Sequence, residues 1–444
     1  MNEETSPGSE TSAQPVPTPA VPVKQLRRSL GNEWHARPLI GQSSPLRCSH
    51  MVLLREETTL DKRREQFAAF CDKHGQSTPA QHSRHHSVQI GNCLLKWEGH
   101  TEADSYTLLV AGNSEPAFAK PALDFLDRDL RDTLRQELFL GVHMEVMAAS
   151  EAPSDDHLDR LRGQLGNSDI YGGTIASGVG ELWSSFQLDA DGFVHLVLLD
   201  RGLGEERLAR YLQRVLEIES YRFLAMLALP SAREVMGVLG SYDPELDEIM
   251  AELAHRGADP SQDQLLDRIT RIAAGVEHVA AIHAYRFAAA RAYNGIVERR
   301  LAELFEQPFG NASRYGTFLQ KTLQPAMRTC EAAERRTQEL AQRITRATQL
   351  LDSMVDMDQK KQNQAILEGM AERAALQLRL QQSVEGFSIF AITYYAVGLV
   401  HYLLKSGEAL GLPLNPDLLT GLSAPLVLGV VWWAVRRVKK RLQA

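Results

Sequence analysis

The stretch Gly386–Leu404, GFSIFAITYYAVGLVHYLL, is 19 residues long and contains no Asp, Glu, Lys or Arg. As an α-helix it is about 28 Å long, close to the roughly 30 Å thickness of the hydrocarbon layer of a bilayer. Leu418–Val435 is a second uncharged run, of 18 residues. Two buried core helices are the alternative, but core helices of this length usually carry a polar stripe, which these runs lack. The sequence therefore predicts a transmembrane hairpin over residues 386–435.

Charges around the two runs predict their orientation. Seven basic residues lie outside the pair: Arg373, Arg379, Arg436, Arg437, Lys439, Lys440 and Arg441. The loop between the runs contains one, Lys405, so the positive-inside rule puts both flanks in the cytoplasm. Trp432 and Trp433 lie beside the basic tail, where aromatic side chains anchor helices at the membrane interface. We expect the lipid bilayer to be a partner, held by the membrane anchor Trp432, Trp433, Arg436 and Arg437.

The N-terminal part of the chain has two regions of different composition. Residues 1–23 contain five prolines and almost no large apolar side chain. They bury too little surface to offset the entropy of ordering, so we predict a disordered tail. Their acidic start, without an apolar run, is not a cleavable signal peptide. Residues 24–204 alternate β-type runs with helical patterns at Leu60–Lys73 and Pro121–Phe139, which predicts a mixed α/β cytoplasmic domain.

The β-type runs of that domain are short. They are Cys48–Leu54, Ser87–Trp97, Tyr106–Val110, Val142–Met147, Ile170–Ser177, Glu181–Leu188 and Phe193–Leu199. Asp189–Gly192, with the sequence DADG, is a hairpin turn signal between the last two.

Residues 205–385 are almost entirely helical in pattern. Glu205–Leu229 predicts an apolar helix that ends before Pro230 and packs on more than one side. Gln262–Glu306 and Pro325–Glu385 follow as two very long helical patterns. The second contains a short heptad stripe formed by Leu340, Ile344, Ala347, Leu351 and Met354. We expect a stalk through which copies associate as a homo-oligomer.

The predicted fold class is therefore α+β. A mixed α/β N-terminal domain (24–204) is followed by a helical domain with a long, coiled-coil-like stalk (205–385). A C-terminal two-helix transmembrane hairpin (386–404 and 418–435) and a basic cytoplasmic tail (436–444) complete the chain.

Composition excludes some classes of function. The chain has 48 Lys and Arg against 56 Asp and Glu, a net charge of -8, so no bulk basicity indicates a nucleic-acid partner. Its mean hydropathy of -0.25 is too polar for a transporter built mostly of membrane helices. Four cysteines lie far apart without a Cys-x-x-Cys pair, which indicates reduced thiols in a cytosolic setting.

Asn32–Pro38, with the sequence NEWHARP, is a candidate ligand or anion site. Imidazole titrates near neutrality and guanidinium binds carboxylate or phosphate, so Asn32, Glu33, His35 and Arg37 have suitable chemistry. The alternative is an N-terminal arm that docks through Trp34 and Leu39, with its polar groups satisfied locally.

His82, His85 and His86 form the densest histidine cluster and are weak candidates for a metal site. A metal site usually also needs a fixed backbone and a carboxylate or thiolate ligand, and this run is rich in Gln and Ser, so a solvated loop is the simpler interpretation. The glycines of Tyr171–Leu182 lack the Gly-Lys-Ser/Thr ending of a phosphate-binding loop and favour a bulged or tightly turned strand. We predict no cofactor and no metal.

Glu219 and Arg222 lie on the apolar helix Glu205–Leu229. Charges on such a surface are costly unless paired, and this spacing of three residues lets them pair. A structural ion pair is the favoured interpretation, and a functional role is the alternative.

Several motifs resemble those of bacterial membrane-anchored proteins catalogued as domain of unknown function 3422. They are NEWHARP (32–38), YGGTIASG (171–178), YLQRVLEIESYRFLAMLALP (211–230), HAYRFAAARAYNGIVERRL (283–301), QPAMRTC (324–330) and QLRLQQSVEGFSIFAITYYAVGLV (377–400). The resemblance covers nearly everything from residue 25 to 404 in order. It implies anchoring in a bacterial membrane and a large cytoplasmic region, and it brings no established activity. Together with the charges around the two runs, it leads us to expect a location at the bacterial cytoplasmic (inner) membrane with both termini cytoplasmic.

Three functions remain open from the sequence. The first is a non-enzymatic interaction or scaffold protein of the membrane, with an unknown protein partner. The second is an oligomeric ion channel or transporter subunit with a CorA-like layout, although the Gly-Met-Asn hallmark of that group is absent after the first run. The third is a membrane-tethered enzyme that uses the Asn32–Pro38 motif. Because the sequence completes no catalytic constellation, the first is preferred.

Overall fold

The structure is a computed structural model that describes residue 27 and residues 43–55, 58–149, 156–254, 262–409 and 415–442. Its strands are β1 (Leu46–Leu54), β2 (His85–Ile90), β3 (Cys93–Gly99), β4 (Ala103–Ala111), β5 (Leu138–Ala148), β6 (Tyr171–Ile175), β7 (Gly180–Leu188) and β8 (Phe193–Asp200). Its α-helices are α1 (Leu60–Lys73), α2 (Arg128–Gln136), α3 (His157–Gln164), α4 (Glu205–Met226), α5 (Ala228–Ala254), α6 (Gln262–Glu303), α7 (Tyr315–Ala409) and α8 (Pro416–Leu442).

All eight strands form one mixed sheet, in the order β2-β3-β4-β1-β5-β8-β7-β6. β5 and β8 are parallel, and the other neighbouring pairs are antiparallel. Long helices make up most of the rest of the described chain. The predicted α+β class is confirmed.

One face of the sheet is covered by α1. Alternate strand residues point to opposite faces, so the apolar positions of β1, β3 and β4 meet the phenylalanines of α1. The ring of Phe67 lies 5.8 Å from that of Trp97 and 6.0 Å from that of Tyr106. The N-terminus of α1 is capped by Thr59, whose side chain accepts a hydrogen bond from the backbone of Lys62. The capping threonine and the apolar face of the helix explain why the sequence predicts the bounds of α1 correctly.

The opposite face is covered by α4. Its residues Leu208, Leu212, Val215 and Ile218 are buried. The ring of Phe223 lies 6.0 Å, edge to face, from that of Phe139 on β5. The expectation that this helix is packed on more than one side agrees with its burial.

Two local predictions differ from the structure. The run Ser87–Trp97 is a hairpin rather than one strand, because Gly91 takes a left-handed conformation (φ +58°) in a two-residue turn between β2 and β3. The helical pattern Pro121–Phe139 contains a 3-10 turn at Ala122–Phe125, the short helix α2, and the first residues of β5. Asp127 caps α2 by accepting from the backbone of Leu130, so this helix starts late.

Helix α4 ends before Pro230, as predicted, whereas α7 begins ten residues before the predicted start at Pro325. α4 ends at Met226, and Pro230 lies in the first turn of α5, where the missing N–H of proline has no cost. α7 begins at Tyr315 rather than at Pro325, and it continues without a break to Ala409. The predicted stalk and the first uncharged run are therefore one helix.

The connection between α6 and α7 pairs with the edge strand β6. The backbone N–H of Thr174 donates to the carbonyl of Gln307 (3.1 Å), and the N–H of Gln307 donates back (2.8 Å). A Cβ on Gly173 would lie 2.3 Å from the carbonyl oxygen of Gln307, so only glycine permits this approach. The connection covers an otherwise open sheet edge.

The chain forms two compact units. The first contains the sheet and the described residues up to Glu248, together with Thr270–Ile344. The second contains Ile249–Ile269 and the described residues from Thr345 onward. Within the second unit, Nδ1 of His401 on α7 lies 3.2 Å from the hydroxyl of Thr420 on α8, so the two uncharged runs are in contact there.

Candidate functional site

The face of the sheet under α4 carries a buried polar row instead of the usual apolar surface. The strand register puts His50 of β1 beside Thr107 of β4, and Thr107 beside Lys96 of β3. All three are buried. In the next row, Ser105 lies beside Glu98. Because burying polar groups is costly unless they are bonded, this row is the strongest candidate site of the described chain.

A cavity of about 50 Å³ lies between this row and α4. The helix contributes Gln213, Glu217, Ser220 and Tyr221, and the apolar residues Leu216 and Leu224 complete its wall. A water molecule occupies roughly 10–15 Å³ of such space. The cavity therefore has room for several waters or for a small polar molecule.

His50 forms the floor of the cavity and is fixed from both sides. Its Nδ1 lies 2.8 Å from the hydroxyl of Thr107, and its Nε2 lies 2.9 Å from the hydroxyl of Ser220. Ser220 donates its own proton to the carbonyl of Leu216 (2.7 Å), so it accepts from His50 and the proton of the ring is on Nε2. Burial, followed by the charges of His100 and Lys96, lowers the pKa of His50 to about 3. This imidazole is therefore neutral near pH 7.

The charged residues around the cavity are paired. The ammonium of Lys96 lies 2.9 Å from the carboxylate of Glu98. Glu217 accepts from the amide of Gln213 (2.8 Å) and from Nε of Arg300 on α6. The cavity therefore contains a neutral histidine that is hydrogen-bonded to two hydroxyls, and two carboxylates that are each paired with a basic side chain. Such groups are suited to hold a polar molecule rather than to transfer protons.

The polar layer continues from the cavity to α6. The ring of Tyr221 stacks on that of Tyr293 at 5.4 Å. Burial, followed by the neighbouring Glu102, raises the pKa of Tyr293. Glu102 in turn lies 2.8 Å from the guanidinium of Arg286. Two of the stretches that carry the family resemblance, 211–230 and 283–301, supply the helical residues of this layer.

A second buried histidine, His143, lies close to a serine, as in a catalytic Ser–His pair, but solvent and substrate cannot reach it. Nδ1 of His143 lies 2.9 Å from the hydroxyl of Ser49. The imidazole stacks on the ring of Phe193 at 4.0 Å. Ser49 is fully buried and also accepts from the backbone N–H of Leu123, so this pair supports the core rather than a reaction.

The predicted site at Asn32, Glu33, His35 and Arg37 lies outside the described residues. His82 lies in a turn, whereas His85 and His86 begin β2. Adjacent strand residues point to opposite faces, so these two do not converge, and Nε2 of His86 donates to the carbonyl of Ser77 (2.6 Å). Among the described residues, no group of three or more His, Cys, Asp or Glu is placed to hold a metal ion.

Glu219 and Arg222 form an ion pair. Nε of Arg222 donates to Glu219 at 2.9 Å, and Glu219 is fully buried. The hydroxyl of Tyr315 also donates to this carboxylate. Burial is the main cause, and Glu219 a further one, of the strongly raised pKa of Tyr315. The arrangement joins α4 to the start of α7.

At the C-terminal end, tryptophan and arginine pair one turn apart. The guanidinium carbon of Arg436 lies 4.9 Å from the ring of Trp432, and Arg437 has the same distance to Trp433. Such contacts are cation–π interactions. They hold the basic and aromatic groups together at one end of α8.

Sequence reasoning missed the cavity residues, although a signal was present. His50 and Lys96 are polar residues within largely apolar strands. Gln213, Glu217 and Ser220 recur at helical spacing on a helix whose other residues are mostly apolar. Polar positions on a strand and on a helix that both face inward indicate a polar layer between them.

A mixed sheet with a polar layer under a long helix, continued by long apolar helices, defines an α+β protein with a candidate binding cavity. The chain belongs to the family described as "Protein of unknown function (DUF3422)", whose family model matches residues 23–442. Neither the comparison with curated proteins nor that with solved structures gives a match.

Proposed function

We propose that the protein is anchored in the bacterial inner membrane by α8 and the end of α7, and holds its sheet-containing unit at the cytoplasmic face. There it acts by binding a partner or ligand, as an interaction or scaffold protein, rather than by catalysis. The exposed apolar surface of the two uncharged runs carries the proposal.

Three helices of the described chain are long and apolar enough to cross a membrane by length and composition. The most apolar window of Glu205–Ala254 is 33% buried inside the protein, whereas the windows in Tyr315–Ser406 and Pro416–Arg437 are 0% buried. Helices α4 and α5, which make up the first candidate, are therefore partly buried within the protein, unlike the other two.

The other two windows expose large side chains to whatever surrounds them. Exposure ranges from 37% to 77% for Phe387, Phe390, Ile392, Tyr394, Tyr395, Leu399, Tyr402, Leu403, Leu418, Leu419, Leu422, Leu426, Leu428, Val430, Trp432 and Trp433. Monomeric soluble proteins rarely expose continuous apolar patches of more than a few hundred Å². A bilayer covers such a surface, and the flanking basic residues and tryptophans favour a cytoplasmic position for both flanks.

The cavity under α4 supports a binding role. Its histidine is neutral and bonded on both sides, and its carboxylates are paired. The enzyme alternative depends on His35 and Arg37, which lie outside the described residues. The channel alternative requires a ring of copies around the two runs, and ion flux in proteoliposomes tests it.

Membrane fractionation of a chain truncated after Val384 tests the proposal. The full chain is expected to stay with the membrane after high-salt and alkaline washing, and the truncated chain to be soluble. As a control, a chain of full length with Trp432 and Trp433 changed to Leu keeps the apolar length and is expected to remain in the membrane. A truncated chain that resists high salt, or a full chain that alkaline washing releases, overturns the proposal.

A further inference from the structure

The end of α8 is a helical segment with a high density of positive charge. The helix continues to Leu442, seven residues beyond Val435, which is the last residue of the second uncharged run. No acidic residue lies between Asp417 and Ala444. Five of the six residues from 436 to 441, which we call the basic end of α8, are basic: Arg436, Arg437, Lys439, Lys440 and Arg441.

Most of the basic end lies on the side of α8 away from α7. The two helices touch at Thr420, whose hydroxyl lies 3.2 Å from Nδ1 of His401. At about 100° per residue, Val438 lies on the same side of α8 as Thr420, whereas Arg436 and Lys440 lie roughly 160° away from it. The other three basic positions are about 60° to 100° from Thr420. α7 therefore does not cover the basic end.

α7 also has too little negative charge to neutralise the basic end. In a hairpin that is closed by the contact between His401 and Thr420, Arg436 lies at the level of Glu385, because each is 16 residues from the contact. Residues 380–385 of α7 contain this one acidic residue, against the five basic residues of α8. An excess of four positive charges remains at this level.

Two tryptophans fix the depth of the basic end in the membrane. The rings of Trp432 and Trp433 are each 4.9 Å from the guanidinium carbon of Arg436 or Arg437. Both tryptophans are exposed, and such side chains prefer the boundary between hydrocarbon and headgroups. From Arg436 to Arg441 the helix rises about 7.5 Å, and the headgroup layer on one side of a bilayer is about 5–8 Å thick. The five charges therefore lie at the level of the lipid phosphates.

We propose that the basic end of α8 binds the phosphate groups of anionic phospholipids. This inference rests on the proposed membrane anchoring, which puts this end of α8 in the headgroup layer. A guanidinium group binds phosphate through two parallel hydrogen bonds, and an ammonium group binds it as a point charge. Zwitterionic phospholipids carry a compensating positive charge, so an uncompensated positive surface favours anionic ones. Each basic residue near an anionic membrane surface raises the affinity by about fivefold.

The tryptophans beside the basic end report which lipids surround it. Lipids with brominated acyl chains quench tryptophan fluorescence at short range. Trp97 and Trp183 are fully buried in the sheet-containing unit, so quenching reports on Trp432 and Trp433. Trp34 lies outside the described residues, and a chain with Trp432 and Trp433 both changed to Phe measures its contribution.

Quenching of the full chain in two kinds of vesicle tests the proposal. Both contain the same fractions of phosphatidylglycerol and of brominated lipid. In the first the phosphatidylglycerol is brominated, and in the second an equal amount of phosphatidylcholine is brominated instead. Stronger quenching is expected in the first, corresponding to a several-fold enrichment of the anionic lipid around α8. Because both leaflets have the same composition, the orientation of the chain in the vesicle does not affect the comparison.

Two variants show which residues cause the enrichment. Changing the five basic residues of the basic end together to Gln is expected to make quenching equal in the two kinds of vesicle. Lys405→Gln, between the two uncharged runs, is the control and should leave the difference unchanged. Inorganic phosphate should reduce the difference no more than sodium chloride of the same ionic strength does. A larger reduction by phosphate would assign the site to free phosphate and overturn the lipid proposal.

Alkaline washing of the same vesicles separates this inference from the proposed function. Release of the unmodified chain refutes the anchor itself. The lipid proposal alone is overturned if the chain stays in the membrane but is quenched equally in both kinds of vesicle. It is also overturned if the difference survives in the five-residue variant or disappears in the control.

Discussion

Tyr315, the first residue of α7, donates its hydroxyl proton to Glu219 in the middle of α4, across 96 positions of sequence. Arg222 donates to the same carboxylate from one turn away. Glu219 is fully buried, and its charge is balanced by Arg222 and stabilised by the hydrogen bond from Tyr315. The contact ties the long helix to the helix that covers the sheet.

This contact predicts a large loss of stability when either partner is changed. Tyr315→Phe removes a hydrogen bond to a charged group and is expected to lower the free energy of unfolding by about 1.5–3 kcal/mol. Glu219→Gln leaves the Arg222 guanidinium without its counter-charge and is expected to cost at least about 3 kcal/mol. Urea titration in detergent measures both.

The matched control is Glu206→Gln, on the same helix. Glu206 is paired with Arg210 at 3.7 Å, but its side chain is 90% exposed, so less than about 1 kcal/mol is expected. Equal losses in the control and in Glu219→Gln would show that the buried contact does not stabilise the fold.

The edge pairing at β6 predicts opposite effects for two glycine substitutions. Gly173→Ala places a methyl group against the carbonyl of Gln307, so the connection must move away and the free energy of unfolding should fall by about 1–3 kcal/mol. Gly240→Ala lies in α5 with nothing within 4 Å, and it should raise stability by about 0.5–1 kcal/mol. Thermal melts of both variants check the two signs, and a neutral Gly173→Ala would refute the close approach.

The buried histidines predict that the protein loses stability below neutral pH. The pKa values of His50 and His143 are lowered from the ordinary value of 6.5 to about 3, mainly by burial. Between these values the unfolded chain binds protons that the folded chain excludes. Stability is therefore complete above about pH 6.5 and falls with decreasing pH, by up to about 1.4 kcal/mol per pH unit for each imidazole.

Unfolding measured between pH 7.5 and 5 checks this sign. His50→Gln is expected to flatten the pH dependence, while the same change at the exposed His278 should leave it unchanged. A chain equally stable at both pH values, or more stable at pH 5, would contradict the burial of these two groups.

Neutralising the basic tail tests whether the flanking charges determine the orientation of the two uncharged runs in the membrane. Changing Arg436, Arg437, Lys439, Lys440 and Arg441 together to Gln removes five of the seven basic residues that flank the two uncharged runs. The proportion of chains with a cytoplasmic C-terminus, measured with a reporter fused after Ala444, should fall. Changing Lys405 to Gln is the control and should not lower it. An unchanged proportion in the five-residue variant would mean that other features determine the orientation.

The sequence predicted the parts of the fold that depend on local pattern. Leu60–Lys73 has a capping threonine and an apolar face, and strands β7 and β8 are separated by a clear turn signal. The end of α4 before Pro230 was predicted correctly. The start of α7 was predicted too late, at Pro325, which lies inside the helix. The Gly91-Asn92 turn was missed although a two-residue turn with glycine is a hairpin signal.

Local pattern marks the polar residues of the candidate cavity, but it does not show that they come together. His50, Lys96 and Thr107 become neighbours only through the register of three strands, and Ser220 reaches His50 from 170 positions away. The ion pair between Glu219 and Arg222 could be predicted because it depends on spacing within one helix. The hydrogen bond from Tyr315 to Glu219 could not be predicted, because it joins two helices that are far apart in sequence.

Labelling of single cysteines in intact cells tests the membrane hairpin most directly. Ser406 follows the first uncharged run, Ser353 lies earlier in α7, before that run, and both side chains are exposed, while the native cysteines are buried. The cell envelope outside the inner membrane is first made permeable, while the inner membrane itself stays intact. A membrane-impermeant maleimide is then predicted to label Ser406→Cys. It should label Ser353→Cys only after that membrane is made permeable. Labelling of Ser353→Cys in intact cells, or protection of Ser406→Cys until the inner membrane is opened, would contradict the account.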